Sequence, residues 1–440
     1  MTVLIKNPTI AGGSRDVANG IIEEYKSSGN DIDADTFVHF VNNSLTHGTD
    51  EELGSSGVTV QPCNSVKLSA TKVLVMMADK ASSSARLYAF VVTISGTTIT
   101  AGTAVTVQTG TYYGGAHSVL VATNRVLTVC ATSNTVAKLL ILNISGDTIT
   151  VTDPEMSFSG TISGSTMTAT AIGDNKVFIT SEDAYIVYSV TASAATLEAF
   201  GNLVSDFSTH ASATLVGSSI FFMYQTTSSS NYIIKAVAVK LSDYSVGTAV
   251  TIFDSQSTAT MSPALTTLDS SRVLVVYGKI TSAKYARVCT VSGNTITLGT
   301  QTNTGISTST SANYLVALLD DDVAMLAYGG ASYLYGAVLL ISGTSIQSAT
   351  VDTTLDTKSY AGDVQGLLAV DDNKVLAYHA GSTSSSVYGL IVSQDTCISD
   401  YFTTADSIDG ITVEKCTSTT AGEVWVLNPE DVHAVGEVHI

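Results

Sequence analysis

Tryptophan occurs once in 440 residues, cysteine and proline five times each, and lysine plus arginine only 19 times against 38 aspartates and glutamates. A formal net charge of -19 excludes the basic footprint that grips a nucleic-acid backbone or an anionic membrane surface. No apolar stretch approaches the roughly 20 residues of a bilayer-spanning helix, so no membrane insertion is expected. The first residues, MTVLIKNPTIAGG, lack the charged start and continuous apolar core of a secretory signal, and synthesis in a cytoplasm follows as the expectation. The cysteines include no Cys-x-x-Cys pair, which suits a chain that folds without a disulfide framework. Cys130 and Cys289 fall inside expected strands as small core residues, while Cys63, Cys397 and Cys416 read as free thiols, with pairing on oxidation as the alternative.

Catalytic signatures are missing as well. His39, His47, His117, His210, His379, His433 and His439 show no His-Glu-x-x-His spacing, and no Gly-x-Ser-x-Gly elbow is present. Paired carboxylates drawn from distant parts of the chain would leave no local pattern, so glycoside chemistry stays open.

What the chain does contain is a pattern recurring about every fifty residues. One anchor is the apolar residue that enters a Ser-Gly-type turn: Ile94, Ile144, Val190, Leu241, Val291, Ile341, Val392 and Ile440. A second is the start of an apolar run: Val73, Val126, Val177, Ile220, Val273, Val323, Val375 and Val424. Around Val273 the segments PALTTLD, RVLVVYGK, YARVCTVS and TITLGTQT read as four strands joined by tight turns. Four antiparallel strands per fifty residues make a propeller blade, and apolar faces stacked blade on blade make the core.

Eight anchors predict an all-β, eight-bladed propeller over residues 56–440. The eighth unit lacks a fourth strand, and GVTVQP (Gly57 to Pro62) echoes the fourth-strand sequence AVTVQT (Ala104 to Thr109). We therefore expect Val58 to Gln61 to complete the last blade as an N-terminal clasp, a seven-bladed ring with a C-terminal tail being the alternative. Residues 1–55 lie outside the repeats. There Ser14 to Lys26 has a helical spacing of Val17, Ile21 and Tyr25, Thr36 to Val41 reads as a strand, and His47 to Gly57 reads as a linker. Together they predict a small α/β anchor.

Three sets of residues invite a functional reading. Asp31, Asp33 and Asp35 alternate in DIDAD and are the candidate calcium ligands, although the glycine turn and terminal glutamate of an EF-hand loop do not follow. As a structural feature they are three acids on one solvated strand face. Lys72, Arg125, Lys176, Arg272 and Lys374 precede the second anchor and form a basic arc, either a grip for an acidic ligand or charged guards of hairpin ends. Tyr224, Tyr277, Tyr328 and Tyr378 end the second strands, placed either to stack on sugar rings or to cap the layers between blades.

The lone Trp425 excludes the Trp-Asp repeat signature, and Ser393-Gln394-Asp395-Thr396-Cys397 lacks the glycine and tryptophan of a sialidase Asp box. Through KVLVMM, RVLVVY, TISGTTIT and VSGNTIT, residues 58–440 resemble a loosely defined set of propeller repeat proteins from bacteriophages and prophages. The opening stretch that ends in TFVHFVN is similar to the start of phage virion proteins. The resemblance implies a non-enzymatic tail-fibre or decoration protein of the virion. Residues 1–55 would join other virion proteins, as a homo-oligomer, and the propeller would bind a host-surface glycan or protein. A carbohydrate-active enzyme (glycosidase or lyase) and a bacterial adhesin or scaffold are the competing expectations.

Overall fold

The computed structural model describes residues 22–25, 37–55, 60–79, 86–109, 116–132, 136–154, 157–159, 167–228, 231–254, 263–278, 283–307, 314–320, 323–329, 334–347, 353–356, 360–371, 374–381, 386–399, 410–412 and 422–426. Every regular element among them is a β-strand. The chain divides into two units, one of residues Leu45–Ser393 and one of Met1–Ser44 with Gln394–Ile440.

The larger unit is a propeller of seven blades, not eight. Their first, inner strands are Val60–Ser69, Ala116–Ala122, Met167–Gly173, Thr209–Val216, Ala264–Thr267, Tyr314–Asp320 and Tyr360–Asp371. In each blade the second and third strands follow as antiparallel hairpins, for example Arg272–Gly278 and Ala283–Ser292 in blade five. The Ser-Gly turns leading outward place Gly96, Gly146, Gly293 and Gly343 at φ of 57° to 63°, the left-handed conformation that a two-residue hairpin turn requires.

The second strands are the continuous apolar runs read from sequence. Val73–Ala78 and Val273–Gly278 are wholly buried because they are covered on both faces. Alternate residues of each run face alternate neighbours, and the core accordingly falls into seven layers. One joins blades one and two through Leu74, Met76, Val126 and Leu140. Another joins blades seven and one through Leu376, Val387, Ile391, Val73, Val75 and Phe90, so the ring is closed. Each fully buried Leu, Val or Ile in these layers contributes about 1.5–3 kcal/mol.

Closure is achieved differently from the sequence expectation. Val60 pairs with Asp79 in the first strand of blade one, so the Val58–Gln61 echo is a chance likeness between two valine-rich strands. The clasp is Glu51–Ser55, inside the stretch read as a linker, which pairs with the third strand of blade seven as Glu51 with Gly389, Glu52 with Tyr388 and Ser55 with Ser386. Blade seven is thus three strands from the end of the propeller sequence plus one from its beginning.

A glycine repeats across these outer strands. In most blades the outer strand is broken into two pieces, as Thr98–Ala101 and Val105–Thr109 in blade one. At the break the amides of Gly102, Gly247 and Gly299 donate to Val91, Ala238 and Val288 at 2.8–2.9 Å. Gly48 does the same to Ile391 at 2.9 Å. A β-carbon on Gly48, Gly247 or Gly299 would collide with Thr97, Asn294 or Thr344, each in the outward hairpin turn of the next blade. Gly48 therefore seats blade one on blade seven.

In the other unit, Gly422–Val426 pairs with Ile22–Tyr25 and with Gly410–Thr412, and Phe37–Val38 pairs with Gly410–Ile411. The run at Val424, taken as an eighth blade's second strand, belongs to this sheet. Ile22–Tyr25, at the end of the expected helix, is a strand, and residues 14–21 lie outside the described residues.

Candidate functional site

The four tyrosines singled out from the sequence are inside the protein. Tyr224 and Tyr277 are 0% exposed, Tyr378 1% and Tyr328 4%, each packed in a layer between two blades. Their rings are not available for stacking on a ligand, because the second strand is covered on both faces along its whole length. The Tyr224 hydroxyl donates to Asp206 Oδ1 at 2.9 Å, and that of Tyr277 to Gln301 Oε1 at 3.1 Å. Burial pushes the Tyr277 phenol up to about 12. The acids Asp31, Asp33 and Asp35 lie outside the described residues, and among the described residues no three His, Cys, Asp or Glu side chains converge on a metal position.

The basic arc is largely taken up in structural ties. Lys72 reaches Asp147 at 2.7 Å, in the hairpin turn of blade two, and Arg272 donates to Gly343 O at 2.8 Å, in that of blade six. Lys176 bridges to Glu198 within blade three at 3.4 Å. Asp269 folds the DSSR turn around itself, its Oδ1 accepting from the amides of Ser271 and Arg272 at 2.7 and 2.8 Å and its Oδ2 from Arg272 Nε at 2.6 Å. Burial alone would raise its pKa, but the bonds from Arg272 and Ser271 prevail and bring it down to about 2.

The opposite ends of these strands carry a different set. On the third strand, Tyr88, Lys138, Lys235, Tyr285, Tyr335 and Tyr388 occupy matching positions in six of the seven blades. They stand opposite Met77, Cys130, Tyr224, Tyr277, Tyr328 and His379 of the second strand. All six are half-buried, whereas the residue before each of Tyr88, Lys235, Tyr335 and Tyr388 is an aliphatic core residue. The repeat sets them at one level around the ring. Tyr285 lies against Tyr277 with ring centroids 6.4 Å apart, Tyr335 against Tyr328 at 5.5 Å, and Tyr388 against His379 at 6.0 Å. Arg86 lies over Tyr88 at 5.4 Å. Contact on one face pre-orders each ring.

Lysine replaces tyrosine in two blades, each time with an aspartate. Lys138 meets Asp153 at 2.9 Å and Lys235 meets Asp206 at 2.6 Å. Burial raises the Asp206 pKa, but hydrogen bonds from Lys235 and Tyr224 outweigh it and leave the carboxyl below its usual value. Such a rim of ordered phenols, ammonium groups and ionised carboxylates offers flat apolar surface beside charged hydrogen-bonding groups, the composition that suits a polyhydroxylated ligand. Sequence reasoning named the tyrosines of the second strand, which the structure buries, and not those of the third. The signal it passed over is Tyr followed by Ala or Gly in LYAF, KYAR, LYGA and VYGL. The small residue leaves room on that face, as at Gly389, where a β-carbon would meet Leu53 of the same blade at 2.8 Å and Ile99 of blade one at 3.3 Å.

No protein-family model and no curated protein matches the sequence. Among solved structures, the chain is similar to SapL1 lectin, determined with α-methyl fucoside, at 13% identity and a TM-score of 0.40, covering 68% of this chain and 98% of that one. It is similar to Sqt1 from Chaetomium thermophilum at 7% identity and a TM-score of 0.44, covering 81% and 100%. Likewise it is similar to AofleA from Arthrobotrys oligospora at 10% identity and a TM-score of 0.39, covering 72% and 94%.

Proposed function

We propose that the protein is a non-enzymatic binding propeller whose ligand is a glycan, held along this rim by Tyr88, Tyr285, Tyr335 and Tyr388 with Lys138 and Lys235. The observation that carries this reading is the repetition of a half-buried, pre-stacked tyrosine or a carboxylate-paired lysine at one position of six blades. Several equivalent weak sites on one rim suit multivalent attachment, where linked sites gain avidity without new contacts. Its setting in a virion is the finer part of the proposal. There the propeller would be displayed for attachment to a host-surface glycan, as part of a homo-oligomer joined to other virion proteins through residues 1–55. That setting rests on the resemblance of the repeats.

The test is a screen of the purified protein against bacterial surface polysaccharides, read by saturation-transfer NMR and by release of reducing ends. Binding that falls about tenfold or more in Tyr285→Ala and Tyr335→Ala, without release of reducing ends, supports the proposal. Turnover of the polysaccharide would establish the carbohydrate-active enzyme instead, and binding indifferent to both substitutions would remove the rim from consideration.

A further inference from the structure

Blade three departs from the pattern of its neighbours at its outer edge. Its outer strand, Ala195–Asn202, is one continuous run of eight residues, where blades one, two, four, five and six have two offset pieces of two to six residues. Breaks of that kind prevent a sheet edge from accepting a further strand. Among the described residues no strand pairs with the outer side of Ala195–Asn202.

The same strand carries the only two large hydrophobic side chains that stand exposed among the described residues, Leu197 at 50% and Phe200 at 77%. Three positions apart, they would point to opposite faces of a regular strand. A register shift prevents this: Tyr188 pairs with Leu197 and Val187 with Ala199, so Glu198 is the extra residue of a bulge. Leu197 and Phe200, opposite Tyr188 and Ile186, thereby share one face. Glu198 turns to the other face, where Lys176 and Ser189 meet it, and Glu182 and Asp183 occupy the turn beside Asn202. Lys176 is the cation that meets Glu198, at 3.4 Å. Three carboxylates against one ammonium make this edge acidic.

We propose that the outer edge of blade three receives an extended strand of a partner protein in which apolar side chains alternate with lysine or arginine. The backbone groups of the free edge supply the ladder, Leu197 and Phe200 the apolar contact on one face, and Glu198, Glu182 and Asp183 the charge complement. A second copy of this chain fits less well, because antiparallel pairing of the strand with itself brings the same acids together across a short contact.

The experiment uses the full-length protein and the synthetic peptide acetyl-Thr-Val-Lys-Val-Lys-Val-Thr-amide, with its Glu-for-Lys counterpart as control. Titration calorimetry reads affinity, and amide hydrogen exchange reads location. The lysine peptide is expected to bind about tenfold or more tighter than the glutamate peptide, to slow exchange within residues 195–202, and to lose about tenfold in Phe200→Asp. Because Phe200 is solvent-facing, that variant keeps the fold, which circular dichroism verifies. Equal affinity for the two peptides, unchanged exchange in 195–202, or binding retained by Phe200→Asp would overturn the proposal. A dimer in sedimentation that Phe200→Asp dissociates would assign the edge to a second copy and overturn it too.

Discussion

Replacing Lys284 with leucine is expected to stabilise the protein at neutral pH and to lose that advantage in alkali. Lys284 is 1% exposed and alternates with Ala286 and Val288 on the strand face that forms the layer between blades five and six. Blades one and six hold Leu87 and Leu334 at the matching position. Burial lowers the ammonium pKa from 10.5 to about 8. At about 1.4 kcal/mol per pKa unit, this places the cost of the buried charge at about 3 kcal/mol as an upper figure. Below pH 8 both folded and unfolded states carry the proton, and the full cost is present. Between pH 8 and 10.5 the unfolded chain keeps the proton that the folded one has released, so wild-type stability rises with pH relative to a variant lacking the group. Above 10.5 both are neutral and the cost is gone. Urea unfolding from pH 6 to 10.5 should show Lys284→Leu more stable by about 1–3 kcal/mol at pH 7, with the gap closing in alkali. Lys284→Met, of similar length, controls for any cavity that leucine leaves. A gap that does not change with pH, or destabilisation by both substitutions, would refute the electrostatic account.

Three further outcomes follow from the geometry. Gly247→Ala and Gly48→Ala should each cost about 1–3 kcal/mol in urea unfolding, since a β-carbon there meets the next blade's turn, whereas Gly343→Ala should cost only the strain of its positive φ of 60°. Asp269→Ala should cost about 1–2 kcal/mol at pH 7 through the lost turn bonds. Because the folded pKa is depressed to about 2 from 3.8, that contribution is present above pH 4 and disappears as pH falls toward 2, which acid unfolding of the two proteins would reveal. Cys289, buried and with its thiol pushed up to about 12 by desolvation, should resist Ellman's reagent at pH 8 until denaturant is added; prompt labelling in buffer would contradict its placement.

The blade was legible in the sequence because period, strand alternation and Ser-Gly turns are local properties. The number of blades was less so, since the apolar run at Val424 satisfies the same pattern as Val273 yet pairs with Ile22–Tyr25. A short valine-rich strand carries no record of its partner, which is how Val58–Gln61 came to stand in for the clasp. The better guide was Thr46-His47-Gly48-Thr49, which shares the pattern Thr-x-Gly-Thr with Thr100-Ala101-Gly102-Thr103 and Thr297-Leu298-Gly299-Thr300. Its meaning depends on a close approach between blades that only coordinates display. The tyrosines present the same difficulty. Tyr277 and Tyr285 are directly opposed on neighbouring strands, and alternation gives them the same face, but depth within the layer decides that one is buried and the other half-exposed.

The clasp also orders events during synthesis. Glu52 leaves the ribosome far ahead of Ser386, the residue whose hydroxyl it finally accepts at 3.0 Å across 334 positions of chain. Blades one to six can each form as they emerge, out of local hairpins, but the seventh sheet has no outer strand until the opening segment returns to it. A nascent chain thus holds an unsealed edge at either extremity until translation has passed residue 393, and any delay there leaves two sticky margins that can find each other in different molecules.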